Sequence, residues 1–149
     1  EVVNNNTNVN TNTTNINTGS SVNLNLSVKT GETEVNKSVT YQGITFKIMT
    51  ADKRDDFVSS TAEEGKTFII LYFDKITEKT TLEILPVVRN DVKLKSNENE
   101  YSVKTMNIAG SNSADYATSY FLFEINEEES GFSLNFGLGD SLQTMEIDL

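Results

Sequence analysis

The chain has no cysteine, no histidine and no tryptophan, and its one proline is Pro86. Without cysteine there is no disulfide framework and no thiolate metal site. Without histidine the usual zinc, copper and haem ligands are missing, as are Ser-His and Cys-His nucleophile pairs. Positive charge is also scarce, with 12 Lys and Arg against 22 Asp and Glu, a formal net charge of −10. A nucleic-acid binder needs clustered Lys and Arg to neutralise phosphates, and no such cluster occurs. The same imbalance disfavours an anionic membrane surface. No apolar run approaches the ~18–20 residues of a membrane span, and no signal-peptide-like apolar stretch is present. These absences leave a non-enzymatic protein with no organic cofactor as the reading to develop.

What is present divides in two. Residues 1–21 are dominated by Asn and Thr, with Glu1 as their one charged side chain. Such a composition buries too little apolar surface to offset ordering entropy, so the stretch reads as a tether or exchange segment. As a flexible coil, some 20 residues span about 25 Å on average. Residues 22–149 read as one domain, well within the size at which a single core suffices without staples.

Period-two alternation runs through this second part. "VNLNLSV" puts Val22, Leu24, Leu26 and Val28 on one face and Asn23, Asn25 and Ser27 on the other. Strands at about 35–41 and 44–50 flank a turn at Gln42-Gly43. "KTFIILYFDKI" is apolar on both faces and is expected in the centre of a sheet. "TTLEILPVV" is expected as a further strand that ends at Pro86. "DVKLK" and "YSVKTMNI" around the polar "SNENE" predict a hairpin. "TSYFLFEI" forms a second apolar strand, followed by "GFSLNFGLG", where Phe132, Leu134 and Phe136 alternate. "LQTMEIDL" alternates Leu142 with Ile147 less cleanly. No segment carries a clear helical stripe, and one helical turn within 52–64 is the most expected. Strands at this spacing predict an all-β, immunoglobulin-like antiparallel β-sandwich with an extended Asn/Thr-rich N-terminal segment.

Three further features fit one family. Gly65-Lys66 leads into "TFIILYF", "SNENEY" makes a mid-chain turn, and "SYFLFEINEEESGFSL" closes the domain. In their order these pieces, over about residues 39–149, resemble the immunoglobulin-like domains of unknown function carried by secreted bacterial and archaeal lipoproteins. The resemblance implies an extracellular or cell-surface, non-catalytic domain held off the membrane by a polar linker, acting as a binding or spacer module at the cell envelope.

Several clusters invite a functional reading. Asp52, Asp55 and Asp56, with Glu63 and Glu64 nearby, offer hard oxygen ligands for calcium, although Lys53 and Arg54 interrupt them and no EF-hand pattern appears. The alternative is a solvated loop. Sequons at Asn5, Asn12, Asn25 and Asn36 suit a glycosylated stalk, and they also arise by chance in an Asn/Thr-rich sequence. A Tyr at 116 or 120 suits a tyrosine corner. Finally, Val22, Leu24, Leu26 and Val28 suit either the first strand of the chain's own sandwich or a strand donated to a neighbouring copy. Repeated head to tail, donation builds an extracellular filament through N-terminal self-association.

Overall fold

The computed structural model describes residues 32–109 and 119–149. The elements in chain order are β1 (Glu32–Tyr41), β2 (Ile44–Arg54), β3 (Asp56–Phe57), β4 (Ser60–Thr61), β5 (Lys66–Ile76) and α1 (Thr81–Asp91). They continue with β6 (Val92–Lys95), β7 (Glu100–Ser102), β8 (Thr105–Asn107), β9 (Ser119–Asn126), β10 (Phe132–Phe136), a 3-10 turn at Gly139–Ser141, and β11 (Gln143–Ile147). Among the described residues the strands build a five-stranded sheet in the order β1-β2-β5-β9-β8, a four-stranded sheet in the order β11-β10-β6-β7, and the small hairpin β3-β4. Every pairing is antiparallel. The molecule is an all-β sandwich, as its alternation predicts.

Local chemistry explains the pieces. Gln42 and Gly43 both hold positive φ, 48° and 74°. That conformation closes a two-residue hairpin whose twist matches the strands it joins. β5 lies between β2 and β9, which accounts for its unbroken apolar run. Ile69, Leu71 and Phe73 enter the main core, while Phe68 and Ile70 form a second cluster with Leu122 on the outer face. The main core joins the two sheets through aromatic rings. Phe46 of β2 lies 5.0 Å from Phe136 of β10, 5.7 Å from Phe73 and 5.9 Å from Phe121. Phe73 and Phe121 stack at 4.2 Å.

Two local expectations are corrected. The stretch expected as a strand ending at Pro86 is the helix α1. Thr80 precedes it, and the Glu83 carboxylate accepts both the Thr80 backbone N–H and its hydroxyl at 2.8 Å. Ile84, Val87 and Val88 then face the core at i, i+3 and i+4. Pro86 is exposed on the far side, so the helix keeps its buried stripe intact. Second, β11 turns Met145 and Ile147 inward, while Leu142 is 45% exposed. Residues 52–64, where one helical turn is the most expected, hold none; they finish β2 and make the hairpin β3-β4. In addition, "YSVKTMNI" divides: β7 pairs with β6 in one sheet, and β8 pairs with β9 in the other.

Candidate functional site

The outer face of the four-stranded sheet is set by alternation. β10 sends Phe132, Leu134 and Phe136 inward, which leaves Ser133 and Asn135 facing out. Register then brings neighbours to them. Ser133 stands opposite Lys95 on one side and Glu146 on the other, and Asn135 stands between Lys93 and Thr144. Lys93 is already engaged, its ammonium donating to the Ser102 hydroxyl at 2.7 Å. The remaining side chains line a groove of about 410 Å³, with Asn97 at one end and Leu142 at the other margin. Asn97 lies across Gly131, where a Cβ would stand 2.5 Å from the Asn97 side-chain oxygen. Gly131 has φ 68°, so both conformation and space require glycine there.

Asn135 is the unusual member. It is 7% exposed, and its Oδ1 is sealed from solvent with no hydrogen-bond partner. A buried acceptor left unpaired costs roughly 1–3 kcal/mol.

Beside this groove the turn β6-β7 is clamped to the turn β9-β10. The Glu129 carboxylate accepts from Tyr101 Oη, from Asn99 Nδ2 at 2.7 Å and from Asn126 Nδ2 at 2.8 Å. Burial pushes the Glu129 carboxyl up, but donors at Ser96, Tyr101, Asn99 and Asn126 outweigh it and hold the group below its ordinary value. The one proton of the Ser96 hydroxyl goes either to the Asn99 carbonyl, at 3.2 Å, or to this carboxylate, whose Oε2 has no aligned partner. Burial, then the hydrogen bond to Glu129, raises the Tyr101 phenol.

The opposite face, on the five-stranded sheet, is largely covered. The hairpin β3-β4 lays Phe57 edge-on against Tyr120, with ring centroids 5.0 Å apart. Under it Phe68, Leu122 and Lys104 border a smaller cavity of about 170 Å³. Lys104 is held by Glu124 and sits 5.6 Å above the Phe68 ring. Val58 at the tip is 88% exposed and has φ 56°, a left-handed conformation that a β-branched residue rarely adopts.

The residues singled out from sequence fall as follows. Asp52 is buried on β2, its Oδ2 lying 2.8 Å from Arg54 Nε, in contact but not aligned as a hydrogen bond. Asp55 and Asp56 are exposed beyond the end of that strand. The three are not brought together, and among the described residues no three acidic side chains converge as a metal ion needs. Glu63 pairs instead with Lys66 at 2.5 Å. Asn36 is exposed on β1 at a bulge, with φ 48° and its amide on the Glu34 carboxylate. Tyr120 packs against Phe57, while Tyr101 ties its hydroxyl to a neighbouring turn. Tyr116, Asn5, Asn12, Asn25, Val22, Leu24, Leu26 and Val28 lie outside the described residues. Asn135 escapes a reading by alternation, which attends to the apolar phase. Its one signal is an amide side chain, poor in strand propensity, between Leu134 and Phe136.

Comparison with protein-family models, curated proteins and solved structures returns no match to this chain. No helix among the described residues is long and apolar enough to cross a membrane.

Proposed function

We propose that this protein is a non-catalytic binding or spacer domain at the cell envelope, extracellular or on the cell surface, like the lipoprotein-borne immunoglobulin-like domains its sequence resembles. The observation that carries the reading is the groove on the four-stranded sheet. Its amide, hydroxyl and ammonium groups are arranged by strand register on a rigid sheet, the arrangement that holds a ligand by hydrogen bonds. The Asn/Thr-rich residues 1–21 supply reach.

The second reading is a filament subunit joined through Val22, Leu24, Leu26 and Val28. That reading needs an acceptor edge. Among the described residues the sheet edges are β1, β8, β7 and β11. β7 and β8 have three residues each, too short to anchor a donated strand well. β1 is bulged between Glu34 and Lys37, and Lys37 spans to β11, donating to the Glu146 carbonyl at 2.7 Å. Bulges and charged side chains at an edge oppose strand addition. The envelope-domain reading is therefore favoured.

Sedimentation of the purified chain, and of a chain lacking residues 1–28, tests the choice. A folded monomer in both cases is expected. Polymers formed by the full chain and abolished by the deletion would establish the filament instead.

A further inference from the structure

We propose that the groove on the outer face of the four-stranded sheet binds a neutral oligosaccharide, with Asn135 as its central hydrogen-bonding residue. The inference rests on the reading of this protein as an envelope binding domain and names its ligand class.

Asn135 is more than nine-tenths buried, lines the groove, and holds an acceptor with no partner. In the rotamer seen, this Oδ1 is sealed from solvent and out of reach of a groove ligand; rotation of the amide about its last torsion exchanges the two ends and turns the carbonyl to the groove, so a partner that both donates and accepts suits it. A sugar hydroxyl is such a group. The neighbouring hydroxyls of Ser133 and Thr144 and the amide of Asn97 have the same dual character.

Charge points the same way. Lys95 and Glu146 flank Ser133 from opposite strands, one of each sign. Their fields largely cancel, which gives no preference for an anionic or a cationic ligand and leaves each able to bind a hydroxyl. The apolar contribution is limited to Leu142, 45% exposed at the margin. One such side chain can meet the C–H face of a sugar ring, but it is too little for an apolar peptide or an acyl chain. At about 410 Å³ the groove has the volume of a small-ligand site, within the roughly 300–1,000 Å³ range of such pockets.

The test is calorimetric titration of the full chain with cellopentaose, chitopentaose and maltopentaose at millimolar concentration. Saturable binding of at least one is expected. Asn135→Ala should weaken it by about tenfold or more, the loss expected when a central hydrogen bond is removed. Because Asn135 is buried, Thr144→Arg supplies a second variant: the position is exposed, and the long side chain fills the groove without touching the core. It should abolish binding with the urea midpoint unchanged. Heat with none of the three sugars, or binding that survives Thr144→Arg, overturns the assignment. The sedimentation result is separate: a monomer whose groove takes no sugar refutes the glycan site alone, whereas filaments refute the envelope-domain reading itself.

Discussion

At the scale of the residue, Phe46 and Glu129 show two different ways of holding this fold. Phe46 touches rings from both sheets and is fully buried. Phe46→Ala removes that junction and should lower stability by about 3–5 kcal/mol in urea denaturation. A loss no larger than that of an exposed-site change would refute its central place. Glu129 works through charge. Its folded carboxyl titrates below its unfolded value, which is ordinarily about 4.3. Its contribution is therefore complete above that unfolded value and disappears as pH falls through the lower folded one. Glu124 and Glu83 are also lowered, the first chiefly by Lys104 and the second by Thr80, so they add to the same acid limb. Glu129→Gln should cost roughly 0.5–1.5 kcal/mol at neutral pH, as a charged acceptor is lost from donors of which Asn99 and Asn126 are exposed and Tyr101 is half-buried. It should also flatten the acid limb of the stability profile; a limb of unchanged steepness would show that the clamp does not titrate.

At the scale of the element, the helix was legible in signals that a strand reading passes over. Thr80 and Glu83 are three apart and Ile84, Val87 and Val88 follow, which is an N-terminal cap and a buried stripe. Pro86 reads as a strand breaker only if the segment is taken as a strand. Thr80→Ala should lower stability by about 0.5–2 kcal/mol, a cap-sized effect readable from the thermal midpoint. The edge formed by β1 and β11 carries a second element-scale expectation. Lys37→Val removes the ammonium that caps the Glu146 carbonyl and gives β1 an apolar edge position. Sedimentation should then show concentration-dependent association, absent in the wild type and in Lys37→Arg. A monomeric Lys37→Val would mean that the bulge at Asn36 is protection enough.

At the scale of the whole molecule, the acid surplus sets solution behaviour. With a sequence pI of about 4.4, repulsion between copies vanishes on acidification before the Glu129 clamp weakens, because that carboxyl titrates below its unfolded value. Solubility should therefore fall first on acidification, with turbidity preceding the loss of stability. Because Asp52 is taken up by Arg54 and stands apart from exposed Asp55 and Asp56, the thermal midpoint should not move on adding EDTA. A clear drop with EDTA would restore calcium as a ligand.

The amino-acid order by itself determined the sandwich, the central place of the "TFIILYF" strand and the Gln42-Gly43 turn. Each follows from local physics: the two-residue period of a strand, burial on both faces, and a backbone that must hold positive φ. It also showed, through the missing cysteine and histidine, which chemistries to set aside. Tertiary structure alone decided that Ser133, Asn135, Lys95 and Thr144 share one face, since their meeting depends on the register of β6, β10 and β11. It likewise decided that Asp52, Asp55 and Asp56 part company, because burial of one and exposure of the others is set by where β2 ends. Register and strand ends are long-range outcomes of packing, and no short window of residues contains them.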